Sequence, residues 1–220
     1  MSVFDKVYFG LLIISLFCYF ITYRKNEKYK KPVIAILLLW LVTTSFAIYL
    51  SNYAGVKNNL FIFHIATPVE YVLLIVLYRY FIVNVTAKKI LALSIPVFVA
   101  ASVIFSAFIQ LPVVNNSYIT IAESIIIIFV SLLFLRETLL LQQVKVLHQF
   151  PMFWISVAIL FYYTGTLIIE GMLNYLISHS LELARRVYRM SYFMKYLLFI
   201  LFIIGAFCER PFSIFTKKIR

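Results

Sequence analysis

Seven apolar runs, each long enough to cross a bilayer as a helix, alternate along the chain with short segments carrying Lys, Arg, Asn and Pro. The pattern predicts helices over Val3–Tyr23, Pro32–Tyr53, Leu60–Val83, Ile90–Gln110, Ser117–Leu140 and Pro151–Ile177. A seventh follows the charged segment Glu182–Arg189 and ends at Cys208, where Glu209, Arg210 and Pro211 stop it. Pro32 and Pro151 suit a first helical turn, whereas Pro68 and Pro96 fall inside spans and are expected to kink them. Leu111–Asn116 reads as a turn and Gln142–Gln149 as a polar connection. The expected fold is all-α, a polytopic membrane protein with residues 1–220 forming a single seven-helix transmembrane domain.

Composition agrees with that pattern. The 220 residues are 64% hydrophobic and 13% charged, with a mean hydropathy of +1.00, far from the composition of a soluble domain. Seven spans use nearly the whole length, so no separate soluble domain is expected. The first run has Asp5 and Lys6 before it and no small-residue cleavage site after it, so it is expected to stay as a membrane anchor. Cys18 and Cys208 each lie in apolar sequence without a CxxC partner and read as small buried hydrophobes.

The net charge of +12 sits in the segments between spans, which argues for topology signals and anionic lipid headgroups and against nucleic acid. Fourteen basic residues fall on one side and six on the other. The N-terminus is therefore expected outside and the C-terminus in the cytoplasm, with the chain spanning the inner (cytoplasmic) membrane. The cluster Arg185, Arg186 and Arg189 goes against this count and is expected in a solvated loop.

Polar residues inside the spans are costly and direct attention to function. Counted at about 1.5 Å per residue, His64, Glu70, Glu123, Glu170 and Lys195 all fall in the outer half, with Glu70 nearest the middle. Spacings of three and four residues make stripes: His64, Thr67 and Tyr71 with Glu70 offset; Asn116, Thr120 and Glu123; Tyr163, Thr166, Glu170 and Asn174; Tyr188, Ser191, Tyr192 and Lys195. These stripes predict one outward-facing polar pocket. Its expected ligand-binding residues are His64, Glu70, Glu123, Tyr163, Thr166, Glu170, Asn174, Tyr192 and Lys195. Lys195 is expected to pair with one of the three glutamates, at least one other glutamate being protonated. Pro68 frees the carbonyl of His64, for which Thr43, Thr44 and Ser45 are candidate donors. Thr43, Thr44, Ser45 and Thr120 otherwise read as interhelical glue, and the tyrosines and tryptophans as interface anchors or core.

No GxSxG, HExxH, P-loop or paired CxxC motif occurs, so no catalytic residue, metal site or cofactor is named. Asn58-Asn59-Leu60 with His64 and Glu70-Tyr71, Ala122-Glu123-Ser124, Pro151-Met152-Phe153-Trp154-Ile155 followed by Tyr163 and Gly165, and Tyr196-Leu197-Leu198 leading to Cys208 together span most of the chain. In these stretches the chain resembles a family of uncharacterised bacterial seven-helix membrane proteins that accompany two-component signalling systems. The resemblance implies a sensory role and a histidine-kinase or other signalling partner. Pro68-Val69-Glu70 is similar to the Pro-x-Glu motif of membrane lycopene cyclase domains, although Tyr71 replaces a second acid and the later motif is missing. A carboxylate in the third helix and Lys195 in the seventh also resemble retinal proteins, without matching neighbours. The leading expectation is a receptor or sensor for a small molecule or lipid. A membrane enzyme acting on a lipid or isoprenoid, a proton-coupled transporter and a retinal-binding protein are the alternatives.

Overall fold

The computed structural model describes residues 3–24, 27–54, 58–111, 115–140 and 147–208, apart from the side chains of residues 174, 177, 178 and 181. Seven α-helices account for most of them: α1 (Val3–Ile21), α2 (Lys30–Asn52), α3 (Phe61–Arg79), α4 (Val85–Phe108), α5 (Ser117–Leu140), α6 (Pro151–His179) and α7 (Leu181–Phe207). A single 3-10 turn, Leu147–Gln149, precedes α6, and no strand occurs among the described residues. All seven helices are long and apolar enough to cross a membrane, which makes the chain an all-helical, multi-pass bundle.

Local chemistry sets several helix ends away from the hydropathy limits. α4 begins at Val85 because the Asn84 side chain caps it, accepting from the Ala87 N–H at 3.0 Å. Lys30 starts α2 and is buried, donating to the Thr22 carbonyl at 2.6 Å and pairing with Glu27 at 2.8 Å. The charged segment 182–189 is not a loop: it forms the first turns of α7. Ser180 caps that helix through the Leu183 N–H at 3.3 Å, Glu182 favours its positive end, and Glu182 pairs with Arg186 one turn on. Hydropathy alone misses this, because capping and i,i+4 pairing continue a helix beyond its apolar run. Pro151 takes the first position of α6 as expected, and Pro68 and Pro96 sit inside unbroken helices. The expected turn at Pro112, most of the 142–149 connection and the stop at residues 209–211 lie outside the described residues.

The helix contacts close a ring. α1 packs on α2, α2 on α3, α3 on α5, α5 on α6, α6 on α7, and α7 returns to α1. α4 stands outside and packs on α3. The ring therefore consists of two three-helix units, α1–α3 and α5–α7, joined at α3·α5 and α7·α1. In each unit the second and third helices make the most extensive contact. This is the three-plus-one-plus-three layout that helix count allows and the sequence does not repeat.

α6 and α7 form the longest antiparallel pair, and two glycines permit it. A Cβ at Gly165 would stand 2.7 Å from Met194 Cγ; one at Gly205 would stand 3.3 Å from the Pro151 carbonyl and 3.4 Å from Tyr19 Oη. Small residues at such crossings let helices approach where no hydrophobic effect drives association. Gly165 is thus a packing site against Met194 of α7. Overpacking costs about 1–3 kcal/mol, so Gly165→Val lowers the thermal stability of the detergent-solubilised protein by several degrees. Gly10→Val, with nothing within 4 Å of its Cβ, leaves it unchanged. Monodispersity after heating, followed by size-exclusion chromatography, measures both.

Candidate functional site

Inside the ring lies a cavity of about 100 Å³, between mid-bundle and the end at which α1 begins. Tyr8 lines it from α1, Trp40, Thr43 and Thr44 from α2, Phe63, Thr67 and Glu70 from α3, Tyr162 from α6, and Lys195, Leu198 and Phe199 from α7. Five helices thus reach one space. A carboxyl and an ammonium on opposite helices make it a charged site in an otherwise apolar layer.

Glu70 is the best-connected carboxyl of the site. Tyr163 donates its hydroxyl to Glu70 Oε1 at 2.6 Å, and Trp40 adds a second hydrogen-bonding interaction. α3 and α6 are not neighbours in the ring, so this bond crosses its interior. Glu123, from α5, reaches the same Tyr163 hydroxyl, is 3% exposed and leaves Oε1 without a hydrogen-bond partner. Lys195 does not close an ion pair with Glu70, Glu123 or Glu170 within 4.0 Å, contrary to expectation. Its ammonium lies 5.5 Å from the ring centroids of both Tyr8 and Tyr192, and it interacts at longer range with Glu70 and Glu170. Tyr192 in turn donates to Asp5 Oδ1 at 2.7 Å, and Tyr8 meets Thr44 Oγ1 at 3.2 Å.

The stripe along α3 divides differently from the expected one. His64 Nδ1 lies 2.7 Å from Ser106 Oγ, and Tyr71 donates to Ser94 Oγ at 2.8 Å while stacking on Phe98 at 3.9 Å. Both therefore face α4, and His64, 6% exposed, does not line the cavity. At roughly 100° per residue, Glu70 points about 120° away from His64 and enters the ring when His64 leaves it. Thr67 stays on the cavity side, accepting from Asn116 Nδ2 at 3.5 Å. Thr43 bonds the Leu39 carbonyl and Thr44 meets Tyr8, so both are engaged elsewhere than at the His64 carbonyl; Ser45 is exposed.

The remaining candidates separate by depth. Thr166 interacts with the Tyr162 hydroxyl beside the cavity. Glu170 is half-buried nearer the end where α1 begins, accepting from Asn115 Nδ2 at 2.9 Å. The Asn174 side chain lies outside the described residues. Thr120 bonds its own helix at Asn116, in keeping with a structural role. Tyr8, Trp40 and Tyr162 were grouped with anchors and core, yet they line the site. Trp40 carried a readable signal, since it sits mid-span in α2 and not at an interface, where belts place tryptophan. Among the described residues no cluster of three His, Cys, Asp or Glu could hold a metal, and Cys18 and Cys208 are both unpaired thiols.

No family model, curated protein or solved structure matches the chain.

The cavity's accessibility to water can be probed by thiol labelling. With Cys18 and Cys208 replaced by Ser, Thr44→Cys is modified by a small water-soluble thiosulfonate. Ser131→Cys, at a fully buried position bonded to Tyr78, is not. Labelling of Thr44→Cys in spheroplasts, and its absence in inverted vesicles, is the outcome expected for an N-terminus outside. Equal protection of the two cysteines in detergent argues against an accessible cavity.

Proposed function

We propose that the protein is a receptor-like or sensor membrane protein that binds a small polar ligand in the central cavity. The observation carrying this reading is that Glu70 and Lys195 face one cavity without meeting. A buried ion pair closed on itself would be a structural device. Opposite charges held apart across about 100 Å³ leave an interaction each can offer to a third group. The ligand chemistry that answers both is an anionic group for Lys195 with a hydrogen-bond donor for Glu70, flanked by Thr43, Thr44 and the Trp40 indole. A dry cavity of about 150 Å³ takes a molecule the size of benzene. That comparison favours a compact ligand over the isoprenoid chain of a cyclase substrate or retinal. Binding would draw α3 and α7 together, and the cytoplasmic ends of these helices would pass the change to a signalling partner such as a histidine kinase.

A second reading has one specific observation behind it. Two three-helix units closed around a shared cavity, with α4 outside, is a layout suited to rocking one unit against the other, which supports a small transporter. Positive-inside counting supports placing the cavity toward the outside of a bacterial inner membrane in either reading.

Mass spectrometry of small molecules co-purifying with the wild-type protein, with Glu70→Gln and with Lys195→Met tests the binding reading. A bound species reduced at least tenfold by either change, with both variants eluting as wild type, is the expected result. A ligand inventory identical across all three proteins would sink it.

A further inference from the structure

Glu123 is left unexplained by the cavity, which it does not line. Among the described residues no cation pairs with it. The titratable groups facing it are Glu70 and Tyr71 from α3 and Tyr162 and Tyr163 from α6. Thr120 and Ser124 on its own helix are committed to backbone carbonyls one turn back, so neither donates to it. An ionised carboxylate there would be a buried charge with no counter-charge and an empty acceptor oxygen, which is among the costliest arrangements in a membrane interior.

Tyr163 decides where the proton sits. A phenol has one hydroxyl proton, and Tyr163 gives it to Glu70 Oε1 at 2.6 Å. Nothing remains to donate to Glu123, whose carboxyl reaches the same hydroxyl. The contact becomes a hydrogen bond when Glu123 supplies the proton. We propose that Glu123, Tyr163 and Glu70 form a proton-storing chain, in which Glu123 is a neutral carboxylic acid donating to Tyr163 Oη and Tyr163 donates to an ionised Glu70.

The charge count of the layer agrees. Lys195 positive and Glu70 negative leave mid-bundle neutral, with Tyr8, Tyr162 and Tyr192 as neutral phenols around them; an ionised Glu123 would make the layer net negative. Glu170 lies nearer the bundle end, with Asn115 as its partner. The chain also gives the cavity a second property, which rests on the ligand-binding reading above. An anionic ligand group that engages Lys195 removes the counter-charge of Glu70. A proton arriving from cavity water onto the Glu70 carboxylate, converting it to the acid, restores neutrality. Ligand and proton would then be taken up together, one proton for each negative charge.

Infrared spectra of the full chain in liposomes, recorded at neutral pH in H₂O and in D₂O with no ligand added, test the chain itself. The expected result is a deuterium-sensitive stretch of a protonated carboxyl that disappears in Glu123→Gln and survives in Glu70→Gln. Gln matches the neutral acid in shape, so Glu123→Gln is expected to retain the wild-type elution profile. Tyr163→Phe supplies an independent reading, since loss of the phenolic acceptor moves the Glu123 band to higher frequency. Identical carboxyl regions in wild type and Glu123→Gln, or a band unmoved by Tyr163→Phe, overturn the proposal. Because the measurement uses ligand-free protein, its failure is separate from a failure of Glu70 and Lys195 to bind a ligand.

Discussion

The hydrogen bond from Tyr163 to Glu70 crosses the interior of the ring, and the rest of the bundle is arranged so that it can exist. A carboxyl halfway along a transmembrane helix cannot face lipid, so Glu70 fixes the rotation of α3 about its own axis. Once that rotation is set, His64 and Tyr71 must leave the ring on another side, and α4 supplies Ser106 and Ser94 to receive them. The same bond fixes α6, whose Tyr163 is 1% exposed and whose other faces pack on α5 and α7. One interior contact thereby accounts for the position of α4, which does not itself touch the cavity.

Around that contact the site is built on stiff material. Trp40 lies 6.0 Å from Tyr162 and 5.9 Å from Phe199 between ring centroids, and Tyr8 lies 5.4 Å from Phe199. Such contacts join α1, α2, α6 and α7 by large side chains with few rotamers. The Lys195 ammonium is held between tyrosine rings rather than by a carboxylate, which keeps its charge available to the cavity. Below mid-bundle, Tyr78 and Ser131 meet at 2.7 Å in a fully buried pair that ties α3 to α5, the polar contact of an interhelical seam without an adjoining charge.

Much of this was legible in the chain. Seven spans, the first-turn role of Pro151 and the gathering of Glu70, Glu123, Tyr163 and Lys195 all follow from the cost of polar groups in hydrocarbon. What was not legible depends on rotation and neighbours. Periodicity groups His64 with Tyr71 correctly, but it cannot say that their shared face meets α4 while the offset Glu70 meets the cavity. Counting charges makes Lys195 a partner for a glutamate, whereas aromatic rings brought from α1 and from its own helix occupy its flanks. Tyr8 and Trp40 were hidden among many aromatic residues because composition does not distinguish a ring at an interface from one at a cavity wall. The start of α7 was lost for a different reason, since hydropathy has no term for a Ser180 cap.

The position of α4 outside the ring has a consequence for how the molecule could be assembled. Because α3 and α5 touch directly, α4 adds no wall to the cavity; it carries the chain back across the membrane so that α5–α7 point the same way as α1–α3. With that one crossing removed, the second unit would insert upside down and the cavity would lose the lining that α6 and α7 supply. Two separate three-helix polypeptides, each inserted in the orientation of the first unit, would need no such return strand. The chain is in this respect a tethered heterodimer, with α4 as the tether and the cavity as the subunit interface.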